Sequence, residues 1–96
     1  QTRNPKNLDN SIIEMVFEDN KGILWLGTKR GGLIKFNHST KIFNNYQAYL
    51  NKPDSLSNNR VNEIFEDRDG ILWIGTDGGG LNKFNRKTGI FMHLFQ

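Results

Sequence analysis

The sequence predicts an all-β fold of two four-stranded antiparallel blades, and three observations carry that expectation. A 48-residue repeat runs through the whole chain without a gap, short apolar runs alternate with turn residues, and no stretch shows the three-and-four apolar spacing of a helix. Phe17-Glu18-Asp19 and Gly22-Ile23-Leu24-Trp25-Leu26-Gly27-Thr28 recur as Phe65-Glu66-Asp67 and Gly70-Ile71-Leu72-Trp73-Ile74-Gly75-Thr76. Further on, Gly31-Gly32-Leu33 falls on Gly79-Gly80-Leu81, Lys35-Phe36-Asn37 on Lys83-Phe84-Asn85, and Ile42-Phe43 on Ile90-Phe91. The lead-in keeps phase too, with Pro5 and Leu8 matching Pro53 and Leu56. The units are residues 1–48 and 49–96. A period of this size is that of a four-stranded β-propeller blade, about 40 to 50 residues.

Each unit reads as four strands. The first is Ile12 to Glu18, or Val61 to Glu66 in the second copy. An Asp-x-x-Gly turn follows at Asp19–Gly22 and Asp67–Gly70. Asp suits the first position of a type I turn, and Gly22 and Gly70 supply the left-handed conformation that closes the hairpin. The second strand, Ile23 to Gly27 and Ile71 to Gly75, is bulky and apolar, as expected of a strand covered on both faces. In the Gly-rich connection after it, Gly32 and Gly80 let the chain reverse and neighbouring blades approach. The third strand, Leu33 to Asn37 and Leu81 to Asn85, alternates apolar with polar residues. A polar turn leads to the fourth, Ile42 to Gln47 and Ile90 to Gln96, and residues 49–60 cross from one blade to the next.

Composition limits what such a chain does. Ninety-six residues make one small domain with a thin core. The net charge of +3 comes from thirteen scattered Lys and Arg, whose nearest cluster is Lys29-Arg30. Nucleic acid binding needs a basic face or stripe and is not expected. There is no Cys, hence no disulfide and no Cys-based metal site. No apolar run approaches the roughly 20 residues that span a bilayer, so direct membrane contact is not expected. A start at Gln1-Thr2-Arg3 reads as a segment whose targeting signals lie elsewhere.

The run Ser55-Leu56-Ser57-Asn58-Asn59-Arg60-Val61, then Asp67-Arg68-Asp69-Gly70-Ile71-Leu72-Trp73-Ile74-Gly75-Thr76-Asp77-Gly78-Gly79-Gly80-Leu81, strongly resembles the two-component regulator propeller repeat. The likeness extends over essentially the whole chain. Copy one departs at Lys29-Arg30, where copy two has Asp77-Gly78, and at Lys41, where it has Gly89, all in turns. The resemblance implies an extracytoplasmic, periplasmic sensor region of a hybrid two-component histidine kinase of the Bacteroidetes kind. In such proteins many blades form propellers that detect extracellular polysaccharide or its breakdown products.

The chemical motifs are weak. Trp25 and Trp73 could stack on sugars, but their place in an apolar strand favours packing between sheets, as it does for Phe17, Phe36, Phe65 and Phe84. Gly27 to Gly32 and Gly75 to Gly80 have the spacing of a phosphate loop, yet Leu and a strand follow instead of Lys, Ser or Thr and a helix. Asp67-x-Asp69-Gly70 begins like a calcium loop, but Thr76 stands where the closing Glu belongs. Glu18-Asp19 and Glu66-Asp67 point to opposite sides and make poor acid–base pairs. His38 in a turn and His93 in a last strand lack partners at catalytic or ligand spacing, and Asn37-His38-Ser39 is a chance-level glycosylation triplet. No catalytic set, metal or cofactor is expected.

Binding is expected at the connections. The crossover residues Asn58, Asn59 and Arg60, and Lys29, Arg30 and Asp77 between the second and third strands, open on one face of a propeller. Planar polar side chains of this kind suit sugar hydroxyls and carboxylates. The leading expectation is a non-catalytic, ligand-sensing propeller segment. The alternatives are a structural or dimer-forming blade pair with the ligand on other blades, and, less favoured, a propeller lyase. Two blades share one interface, so their outer apolar faces call for further blades or copies of the chain closing a ring of four to eight.

Overall fold

The computed structural model describes residues 12–95, which form eight strands and, among the described residues, no helix. They are β1 (Ile13–Glu18), β2 (Leu24–Thr28), β3 (Leu33–Asn37), β4 (Ile42–Tyr46), β5 (Val61–Glu66), β6 (Leu72–Thr76), β7 (Gly80–Asn85) and β8 (Ile90–Phe95). The first four make one antiparallel sheet in chain order and the last four make another. Each sheet is one blade. The expected all-β architecture is therefore present, with strand ends differing from the sequence reading by a residue or so. Pro5, Leu8 and Gln96 lie outside the described residues.

The turns form for the reasons the sequence offers. Gly22 and Gly70 both adopt φ 81°, and their amides close the hairpins onto the Asp19 and Asp67 carbonyls at 3.0 and 3.1 Å. The turns between third and fourth strands are built alike in both blades. The Asn37 side chain accepts the amides of Ser39 and Thr40, and Asn85 accepts those of Lys87 and Thr88. Gly89 closes the second of these turns at φ 74°, but Lys41 must do so in the first, at φ 64°. A side chain there costs about 1–2 kcal/mol.

The core lies between the blades. Trp25 and Leu33 of blade 1 meet Val61, Ile64, Leu72, Ile74, Phe84 and Phe91 of blade 2, with Leu56 of the crossover among them. Trp25 presents an edge-on contact to Phe84 at 5.6 Å, and Phe84 stacks on Phe91 at 4.3 Å. Aromatic pairs of this kind add about 0.5–1.5 kcal/mol each beyond the area they bury.

Equivalent residues of the two copies do not share this burial. Trp25 and Phe84 are each 1% exposed. Trp73, expected between sheets, is only half-buried, and it stacks on Phe65, which is 47% exposed. Phe36 is likewise half-buried, stacked on Phe43 of its own blade, and Phe17 is half-buried at the margin of the core. The reason is position. Phe65 and Trp73 face away from blade 1, and Phe36 faces away from blade 2, so the sheet packing that buries Trp25 and Phe84 is absent there.

Close approach of the blades depends on Gly27. A Cβ at this position would stand 2.7 Å from the Val61 carbonyl oxygen and 2.9 Å from its Cγ1. Both atoms belong to the first strand of the other blade, and one of them is backbone. Gly27→Ala is expected to destabilise the chain by about 1–3 kcal/mol, the usual cost of overpacking. Urea unfolding measures it, and an unchanged midpoint would mean that the sheets slide apart freely.

Candidate functional site

The connections at one end of the sheets gather most of the residues expected to bind. The Asp77 amide donates to the Arg60 carbonyl at 3.0 Å, and Lys29, in the matching place of blade 1, donates to the Ile12 carbonyl at 2.9 Å. The Gly32 amide reaches the Asn59 carbonyl at 2.8 Å, tying the blade 1 connection to the crossover. Lys29, Arg30, Asn59, Arg60 and Asp77 therefore belong to one end of the structure.

Their side chains have divided roles. Arg60 grips Glu14 with two hydrogen bonds, at 3.1 and 3.0 Å, and lies 3.5 Å from Asp77. The hydrogen bond and charge of Glu14 raise the guanidinium pKa above its ordinary value. Asn58 accepts the Arg60 amide through its side chain, and Asn59 accepts that of Ala48, so both shape the crossover. Lys29 and Arg30 make no ion pair among the described residues.

The opposite end holds a network that sequence reasoning missed. Asp19 Oδ1 accepts the amides of Lys21 and Ile23, at 2.9 and 3.0 Å. Its Oδ2 accepts the Trp25 indole N–H at 2.9 Å and the Arg86 guanidinium, from blade 2, at 3.1 Å. Arg86 also donates to Glu66 at 2.9 Å and to the Gly70 carbonyl, and Glu66 accepts the Asn20 amide of blade 1 at 3.0 Å. Burial pushes the Asp19 carboxyl up, but the Trp25 indole, the two amides and Arg86 outweigh it and hold the group below its ordinary range. In blade 2, Asp67 accepts Trp73 Nε1 at 2.8 Å and the amides of Asp69 and Ile71. Foremost the Trp73 hydrogen bond holds Asp67 low as well.

Two further side chains fasten the crossover to blade 2. His93, on the edge strand β8 and away from any catalytic or ligand set as expected, lies 2.6 Å from the Ser55 carbonyl and pins the crossover to β8. Asn82, fully buried where blade 1 has Ile34, takes the Ser57 amide and donates to the Ser57 hydroxyl at 3.1 and 2.8 Å. One signal for the missed network was present, because Asp and Trp stand six residues apart in both copies.

Sheet order, blade-to-blade packing and this shared Asp–Trp device define two consecutive blades of a β-propeller. Residues 7–30 and 55–78, together half of the chain, match the two component regulator propeller family, and the chain belongs to it. A crystal structure described as the extracellular domain of a hybrid two-component system from B. thetaiotaomicron is similar, with a TM-score of 0.79 and 29% identity. The match covers 85% of this chain but 12% of that one, so the chain spans a small part of that domain. No curated protein matches the chain.

Arg86→Met removes the charged partner of a carboxylate whose side chain is 2% exposed, and is expected to cost about 1.5–3 kcal/mol, the usual contribution of a hydrogen bond to a charged group. The same pair sets an acid limit. Asp19 binds its proton less readily folded than unfolded, so its contribution is complete above the unfolded carboxylate range, about pH 4, and fades as pH falls below it. Melting curves at pH 7, 5 and 3 are expected to differ little between the first two and to drop at the third. Asp19→Asn removes the titrating group and should flatten that drop, and an undiminished drop would assign it to other carboxylates.

Proposed function

We propose that the chain is a non-catalytic segment of the ligand-sensing propeller of a hybrid two-component sensor, held on the periplasmic side and responding to extracellular polysaccharide or oligosaccharide. The observation that carries this reading is the family match in both blades at the same phase, joined by the likeness to an extracellular domain of a hybrid two-component system. Further blades complete the propeller, because the outer faces repeat the surfaces that pack between the two present. A binding role fits the side chains better than a catalytic one. Asp19, Glu66, Asp67 and Glu14 are each held by structural partners.

At the loop end, Lys29 and Arg30 are the cations placed to meet a ligand, beside the Glu14–Arg60–Asp77 cluster. Guanidinium and ammonium groups suit carboxylate or hydroxyl oxygens of a sugar. A second reading makes this pair structural, with the ligand on other blades. It is favoured by the engagement of Arg60, Asn58 and Asn59 within the fold.

Calorimetric titration of the complete sensor region with oligosaccharides separates the two. Lys29→Ala combined with Arg30→Ala is expected to weaken binding about tenfold, or 1.4 kcal/mol, if the first reading holds. Unchanged affinity would transfer the ligand to other blades.

A further inference from the structure

Between the two blades, along the side of β4 and β8, lies an open cleft of about 420 Å³. One wall is the end of β4 with the crossover, carrying Tyr46, Tyr49, Lys52 and Asp54. The other is the turn between β7 and β8, carrying Lys87. Both walls belong to this chain, so the cleft is the same whatever blades flank the pair. We propose that it is a subsite for a pyranose ring bearing a carboxylate, a uronate, with Tyr49 as the stacking platform and Lys52 and Lys87 as the partners of the carboxylate. This takes its ligand class from the sensing reading and places the sugar on residues that the loop end does not use.

The walls are held by the backbone. The Ser55 hydroxyl accepts the Tyr49 amide at 3.0 Å and donates to the Lys52 carbonyl at 2.7 Å, which closes the crossover into a turn. The Phe91 amide ties that turn to blade 2 through the Asp54 carbonyl, at 2.9 Å. The Tyr46 ring meets Phe84 and Phe91 edge-on at 5.0 and 6.0 Å. A site whose frame is already ordered loses little entropy on binding.

The side chains over this frame are free. Among the described residues, those of Tyr46, Gln47, Tyr49, Lys52, Asp54 and Lys87 make no hydrogen bond or ion pair. Arg86 also lines the cleft, but Asp19 and Glu66 hold it. Tyr49 is 54% exposed, an aromatic face kept in water. Burial raises the pKa of the Tyr46 hydroxyl, which therefore stays a donor. An aromatic ring beside free polar groups suits a sugar, the ring taking its C–H face and the polar groups its hydroxyls. Two ammonium groups against the one carboxylate of Asp54 leave the cleft positive, which favours an anionic ring over a neutral one. The copies differ at these places. Leu94 stands in blade 2 where blade 1 has Tyr46, and Ser39 in blade 1 where blade 2 has Lys87, so the combination belongs to this junction.

Calorimetric titration of the complete sensor region with trigalacturonate tests this, with maltotriose as the uncharged trisaccharide. Trigalacturonate is expected to bind about tenfold more tightly than maltotriose. Lys52→Gln combined with Lys87→Gln should weaken trigalacturonate binding about tenfold, and so should Tyr49→Ala, which keeps both charges. These three side chains are exposed, so the variants are expected to melt at the native temperature. Lys29→Ala combined with Arg30→Ala is expected to leave trigalacturonate affinity unchanged. Equal affinity for the two sugars, unchanged affinity in either cleft variant, or no binding of trigalacturonate overturns the proposal and leaves the loop-end reading to its own test. A loss in the Lys29 and Arg30 variant transfers the sugar to the loop end and also overturns it.

Discussion

A single carboxylate joins the three scales of this structure. Asp19 closes its own turn with one oxygen and holds both the Trp25 indole and the neighbouring blade's Arg86 with the other. Burying a carboxylate is costly unless its lone pairs are filled and its charge is matched. Here four donors fill them, each hydrogen bond to the charged group contributing about 1.5–3 kcal/mol. The consequence extends into the core. With its N–H fixed, the Trp25 ring has one orientation, and that orientation lays it edge-on to Phe84. Turn, ring and blade contact stand or fall together.

Much of the fold was legible because the repeat is gapless. Each strand was read twice, and the turn residues Asp19, Gly22, Asp67 and Gly70 agreed on its ends. Burial was less legible. Trp25 and Trp73 have nearly the same neighbours in sequence, yet one is enclosed and the other half-open, because enclosure is set by the adjoining blade and not by the strand. The gathering of Lys29, Asn59, Arg60 and Asp77 at one end follows from strand order, because the crossover and the connection between second and third strands are two strand reversals apart. Which of them are engaged does not, since Glu14 and Arg60 lie 46 residues apart. The pairing of Arg86 with Asp19 spans 67 residues and joins a turn to a turn, so no local pattern announces it.

The positions at which the copies differ are more informative than those at which they agree. Shared residues such as the Asp–Trp pairs and Gly27 with Gly75 make a sheet that can stack on another sheet. They say nothing about which one. Asn82 in place of Ile34 binds the crossover that enters its own blade through Ser57, a contact an aliphatic side chain cannot make. Arg86 in place of His38 reaches across to the preceding blade, where the shorter ring would not bridge the two carboxylates.

The physical consequence is a division of labour between apolar and charged groups. Burial of aromatic and aliphatic faces is strong but non-directional, and every blade offers much the same face. On that term alone, blades would stack in any order. Ion pairs at the rim contribute less to cohesion, yet they penalise a neighbour that leaves Asp19 or Glu66 without a cation. Order along a propeller is therefore best specified where the repeat is least uniform, in the turns, while cohesion comes from the strands. In this chain the two roles meet at Asp19, which belongs to the uniform part of the repeat and accepts the cation from the variable part.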